Sequence, residues 1–135
     1  MRPTPHVRRE TRRIVMSEVD VSQIHFTNFF RWMDRGLCEW LADVGYSFTR
    51  LLDEGVGIPI VDSRCRFLHR VLLDDLITVE TTVGGIGTTS FRSRHRFLRG
   101  DEVMAEGELV HVCIARGDRR PIPVPDWLRA AATPG

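Results

Sequence analysis

The chain has 135 residues, 42% of them hydrophobic, and a formal net charge of +1 at pH 7. That apolar content suffices for one domain with its own core, and the near-neutral balance excludes the strongly basic character of a dedicated nucleic-acid binder. No stretch has the apolar length that crosses a bilayer. The basic residues 1–13 lack the apolar core of a secretion signal, and Cys38, Cys65, Cys113 and the five histidines share no metal-ligand spacing. A cytoplasmic protein with reduced thiols and no metal is expected.

Taken in order, residues 1–10, with Pro3 and Pro5, read as a flexible lead-in, and residues 11–132 as a single domain. Residues 11–16 are expected as the first strand, followed by a loop carrying two acids, Glu18 and Asp20. A long amphipathic helix comes next. Phe29, Met33, Leu37, Trp40, Leu41 and Val44 recur at i, i+3, i+4 spacing, with Phe30 and Trp32 beside them, which makes a stripe wide enough to bury. Thr27 or Asn28 is placed to cap its start with a side-chain oxygen, and Gly45 to end it as the C′ residue.

A short helical turn is expected over 46–54, then a β-branched strand over 58–67 with Pro59 near its start. Asp74-Asp75 makes a turn, residues 76–83 a strand, and residues 84–87 a glycine-rich hairpin connection. Over 89–98, Phe91, Ser93, His95 and Phe97 alternate with Ser90, Arg92, Arg94 and Arg96, the pattern of a half-solvated strand. Gly100-Asp101 turns the chain into a last long strand over 104–115. Pro121, Pro123 and Pro125 end regular sheet structure, and residues 126–132 form a terminal helical turn. One strand, one long helix and four strands at hairpin distance define an α+β, two-layer domain: a mostly antiparallel, curved sheet with a long central helix across its apolar face.

The acid-X-acid loop Glu18-Val19-Asp20, the run Ile24-His25-Phe26-Thr27-Asn28-Phe29 and the helix segment Arg31-Trp32-Met33-Asp34 carry a resemblance. So do Gly57-Ile58-Pro59-Ile60-Val61, the stretch Asp74-Asp75-Leu76-Ile77-Thr78-Val79-Glu80-Thr81, Ser90-Phe91, Arg94-His95 and Ile122-Pro123-Val124-Pro125. With these residues the chain resembles the acyl-CoA thioesterases of the 4-hydroxybenzoyl-CoA thioesterase family, nearer its Pseudomonas-type branch, from about Arg12 onward. The resemblance implies the hotdog fold, hydrolysis of an acyl or aroyl thioester of coenzyme A, no cofactor, and a homodimer or homotetramer with sites between subunits. Two positions depart from the family. Gln23 stands where a glycine is usual, and Gly85-Ile86-Gly87-Thr88-Thr89 stands where the branch has a basic cluster.

Hydrolysis of a thioester needs a nucleophile or base, a stabiliser for the oxyanion and an apolar site. By the resemblance Asp20 is the nucleophile or the general base. Read from spacing alone, an acid ahead of a helix is a cap or a solvated loop residue. The backbone amides near Phe26, Thr27 and Asn28, at the positive end of the helix, suit the oxyanion. His25 is a candidate substrate contact. Asn28 either binds a carbonyl or caps the helix. Arg64 and Arg66, two apart on one strand, share a face that suits a phosphate, or else form a solvated face or an oligomer contact. Two rival functions stand beside the CoA thioesterase: a thioesterase acting on acyl-carrier-protein thioesters, and a non-catalytic hotdog protein that only binds acyl ligands.

Overall fold

In the computed structural model of the chain, residues 6–133 are described. The elements are β1 (Arg8–Arg13), a 3₁₀ turn (Met16–Glu18), β2 (Val19–Asp20), β3 (Gln23–Ile24), α1 (Thr27–Asp43), α2 (Phe48–Asp53), β4 (Val56–Gly57), β5 (Ile60–Phe67), β6 (Leu76–Gly84), β7 (Ser90–Arg99), β8 (Glu102–Val112), β9 (Ile114–Ala115) and α3 (Asp126–Ala131). Five strands form one antiparallel sheet in the order β1-β6-β7-β8-β5. The β6–β7 and β7–β8 hairpins build its centre, as their short turns require. β1 then returns to β6 and β5 to β8.

The helix lies along one face of this sheet. Phe29, Trp32, Met33, Leu37, Trp40 and Leu41 are buried, as the stripe predicts, against Ile77, Val79, Val83, Phe91, Phe97 and Leu109. Each such side chain taken out of water contributes roughly 1.5–3 kcal/mol, so this single seam dominates the stability of the domain. On β7 the alternation holds: Phe91, Ser93, His95 and Phe97 face the helix, and Arg92, Arg94 and Arg96 face outward. Gly45 ends α1 with φ of +90°. The Tyr46 N–H donates to Leu41 O at 2.9 Å and the Gly45 N–H to Ala42 O at 3.0 Å, the paired bonds of a Schellman ending.

Several expectations change. The lead-in was expected to run to residue 10 and the first strand from 11 to 16. Residues 1–5 lie outside the described residues, and β1 already starts at Arg8, because Arg8 to Arg13 pair in register with Thr81 to Leu76. Before it, His6 O accepts the Trp40 indole N–H at 2.9 Å. The strand stops at Arg13, since the Ile14 N–H turns to Asp75 O and the chain coils into the 3₁₀ turn. The helix cap also differs. Phe26 is the N-cap residue and is itself helical, at φ −57° and ψ −28°, so Thr27 and Asn28 lie inside the first turn and neither caps with a side-chain oxygen. The strand expected over 58–67 begins at Ile60, after a separate short strand β4 that lies ahead of the expected range, and the strand expected over 104–115 is divided into β8 and β9; β4 and β9 pair with one another.

Candidate active site

The segment from Val15 to Asn28 folds into a 3₁₀ turn, a two-rung hairpin and the first turn of α1. In the hairpin, Val19 faces Ile24 and Asp20 faces Gln23. Val21 at its tip takes a left-handed backbone, φ +66°. The hairpin is fixed to the body by Ile24 N–H to Val71 O and by Leu73 N–H to Ser22 O, both 2.9 Å. Asp20 is exposed.

Glu18 anchors the segment from behind. Its side chain is buried, and its carboxylate accepts the Val15 N–H at 3.0 Å and the Arg12 guanidinium at 3.2 Å. Its backbone carbonyl accepts both the His25 N–H and the Asn28 side-chain amide at 2.9 Å. The Arg12 guanidinium carbon in turn lies over the Trp32 ring, 4.7 Å from the centroid. Asn28 therefore orients the loop through its Nδ2 donor and is itself buried.

At the helix start, the Asn28 N–H is taken by His25 O at 3.1 Å, and the Thr27 N–H makes a long contact with His25 Nδ1, 3.4 Å. Among the described residues nothing accepts the Phe26 N–H. Of the amides that the sequence points to, Phe26 is thus the one left for a ligand, and the Asn28 amide is already spent. His25 is exposed; its Nδ1 lies 2.8 Å from Thr27 Oγ1 and its ring stacks on Phe26 at 4.9 Å. Beside them is a cavity of about 160 Å³ lined by Ile24, Phe26, Phe29, Phe67, His69 and Val71. A second, of about 500 Å³, is walled by Arg12, Glu18, Asn28, Arg31, Trp32 and Arg35. Asp20 lines neither within one chain.

Arg64 and Arg66 are not brought to this segment. They line a separate cavity of about 380 Å³ on the outer face of the sheet, with Arg94, Arg96, Glu106 and Glu108. Arg66 pairs with Glu106 at 3.4 Å and Arg64 with Asp62 at 3.4 Å. On the same face the Arg96 guanidinium, at 2.8 Å, holds the Glu80 carboxyl below the usual carboxylate range. Among the described residues no cluster of three metal-type side chains occurs, and no helix is long and apolar enough to cross a membrane.

The sequence marks Glu18 only as one of two acids in the loop and gives no sign of its burial. The usual marker of such a turn is Ser or Thr three residues before the acid, and Val15 occupies that place.

A long helix held against a curved antiparallel sheet, with an acid-bearing loop feeding the helix start, is the hotdog architecture. Solved structures agree. A 1,4-dihydroxy-2-naphthoyl-CoA thioesterase from Synechocystis superposes with a TM-score of 0.83 at 19% identity, covering 93% of this chain and 95% of that one. A gentisyl-coenzyme A thioesterase superposes with a TM-score of 0.78 at 25% identity, covering 92% of this chain and 98% of that one. In sequence, the 1,4-dihydroxy-2-naphthoyl-CoA hydrolase of Thermosynechococcus vestitus is 25% identical over 138 residues, 97% of this chain and 94% of the relative. The family model of the thioesterase-like superfamily matches residues 14–132, and the chain belongs to that superfamily. Its class is that of a thioester hydrolase.

Proposed function

We propose that the protein hydrolyses an acyl-CoA or aroyl-CoA thioester to the free acid and coenzyme A, as a member of the 4-hydroxybenzoyl-CoA type of thioesterase. The observation that carries the reading is one of position. The hairpin bearing Asp20 runs directly into α1, where the unpartnered Phe26 N–H sits at the helix's positive end beside a cavity lined by three phenylalanines. The acyl group packs among Phe26, Phe29 and Phe67, and its carbonyl oxygen rests on the Phe26 amide. On the direct route the Asp20 carboxylate attacks the carbonyl carbon, the carbon–sulfur bond breaks to release coenzyme A thiolate, and water then opens the mixed anhydride to the free acid and Asp20. On the general-base route Asp20 takes a proton from the attacking water, the carbon–sulfur bond breaks, and that proton passes to the leaving coenzyme A thiolate. An aromatic acyl group suits the three rings, and the named relatives act on aromatic thioesters. The domain expected over 11–132, extended back to Arg8 by β1, serves as one catalytic domain of a cytoplasmic enzyme.

The same reading makes the enzyme a homodimer, or a pair of dimers. Among the described residues no strand pairs with the outer edge of the eight-residue β5, and Ile60, Val61 and Phe67 on it are 46%, 59% and 52% exposed. A second copy covers such an edge. It also supplies the wall that Asp20 lacks in one chain. A carrier-protein thioesterase is the second reading, favoured by the absence of any basic residue from Gly85 to Thr89.

The test is Asp20→Asn assayed on benzoyl-CoA. A folded variant should lose at least about a hundredfold in kcat; an unchanged rate overturns the site. Benzoyl on free coenzyme A turned over faster than benzoyl on a carrier protein supports the first reading, and the reverse order supports the second.

A further inference from the structure

We infer that Glu18 is a positioning residue for the reaction, a buried clamp that fixes where Asp20 stands relative to the start of α1. The inference rests on Asp20 being the reactive carboxylate, and it concerns a residue that never touches substrate.

Two separate stretches of chain meet at Glu18, Arg12 to Val15 ahead of it and His25 to Asn28 beyond it. Its Oε2 receives Arg12 from β1 and its Oε1 receives the Val15 amide ahead of the 3₁₀ turn. Its carbonyl oxygen receives His25, at the end of the hairpin, and Asn28, in the first turn of α1. Its own N–H returns to Val15 O at 2.9 Å. Its side chain is only 9% exposed, so the carboxylate is held almost out of water. Burying a carboxylate is costly unless it is paired and hydrogen-bonded, and Arg12 and the Val15 amide supply both partners. Arg12 is itself held by Trp32, a buried residue of the long helix.

The consequence follows from chain connectivity. Asp20 is two residues beyond Glu18, and Phe26 lies one residue after His25 and two before Asn28. The Glu18 carbonyl thus ties the strand that carries the carboxylate to both sides of the free amide. Two bonds of 2.9 Å to one oxygen leave that distance little freedom. Asp20, by contrast, is exposed and sits in the rung next to the hairpin tip. Its placement comes from the clamp together with the backbone bonds that fix the hairpin at Val71 and Ser22, rather than from contacts of its own side chain. A misplacement of about 1 Å in a reacting group lowers a rate by roughly a hundredfold.

The experiment is a double-mutant cycle on the full chain with benzoyl-CoA as probe. Glu18→Gln keeps an acceptor for the Val15 amide and removes the charge that holds Arg12. It should lower kcat about tenfold to a hundredfold with KM within about twofold. Joining Arg12→Gln to Glu18→Gln restores a neutral side-chain pair and should recover most of the lost kcat. In an Asp20→Asn background, Glu18→Gln should have no further effect, because there is no longer a carboxylate to place. Full kcat in a folded Glu18→Gln protein, an effect wholly in KM, or multiplicative losses in the double variant each overturn the clamp while leaving Asp20 standing. If Asp20→Asn is fully active, the functional reading itself falls, whatever Glu18→Gln does. Should Glu18→Gln fail to fold, Arg12→Gln alone carries the same kcat-against-KM and Asp20→Asn comparisons.

Discussion

Nδ1 of His111 lies 3.2 Å from the carbonyl oxygen of Ile58, deep in the interior beneath α1. A carbonyl only accepts, so this nitrogen carries the proton. In a neutral ring Nε2 is then bare, and it takes the Ser93 hydroxyl at 3.2 Å. Ser93, its donor spent, accepts from His95 Nε2 at 3.1 Å, and the bare His95 Nδ1 takes the Thr81 hydroxyl at 3.0 Å. One carbonyl thus orders four side chains across β6, β7 and β8.

This chain predicts acid sensitivity. Burial, and secondarily the neighbouring His111, push the His95 ring down from 6.5 to about 3, and burial lowers His111 as well. Asp34 is the one nearby acid that opposes the shift, and it acts on His111. Between the unfolded and folded values the unfolded chain binds the extra proton, so stability rises with pH there. The His95 contribution is complete above about pH 6.5 and is lost as pH falls toward about 3. Urea unfolding should show about 2 kcal/mol less stability at pH 5 than at pH 7 from His95 alone. His95→Gln should flatten that dependence, and an equally steep one in the variant would refute the assignment.

Gly36 is part of the same arrangement. A Cβ there would land on Thr81 Oγ1 and lie 3.3 Å from His95 Nδ1. Helix propensity favours alanine over glycine by about 1 kcal/mol, while overpacking a filled site costs about 1–3 kcal/mol. Gly36→Ala should therefore lower Tm. Adding Thr81→Ala, which removes the obstructing hydroxyl, should lose less than the two single losses summed. Simple additivity would show that the clash does not govern the site.

Much of this architecture is legible in the chain itself, and the exceptions have identifiable causes. The helix stripe from Phe29 to Leu41 and the β7 alternation read correctly because both are periodic and local. The start of β1 at Arg8 does not, because its pairing with Thr81 joins residues 73 positions apart and the strand itself holds four arginines and no apolar side chain. The chain order places the Asp20 hairpin directly before the start of α1. The wiring between them stays hidden in the sequence, since Glu18 is bonded both to Arg12 and Val15 before it and to His25 and Asn28 after it. Arg64 and Arg66 do share a face, as spacing requires, but which face only the sheet order decides.

The thiols yield a third expectation. Burial pushes Cys65 and Cys113 up to about 11, with Glu106 adding to the effect at Cys65. At pH 8 roughly one thiol in a thousand is then ionised, and the thiolate is the reactive form. Labelling of native protein with a disulfide reagent at pH 8 should leave both sites largely unmodified over minutes, whereas in urea all three cysteines should react at once. Rapid native labelling at Cys113 would contradict the packing around it.

The hairpin tip supplies the last prediction. Val21 holds φ at +66°, a region that costs a β-branched residue about 1–2 kcal/mol, and its side chain is 97% exposed, so no packing within the chain repays the strain. Glycine adopts this backbone freely at an entropic cost of about 0.5–1 kcal/mol. Val21→Gly should thus leave Tm unchanged or raise it by a few degrees. The benefit comes with looseness one residue from Asp20. If the strained tip aims the carboxylate, kcat on benzoyl-CoA falls several-fold in the same variant that melts no earlier, the signature of strain held at a working site. A lower Tm would mean that the valine side chain is engaged, as against a second copy. An undiminished kcat would place the control of Asp20 entirely behind it, at Glu18.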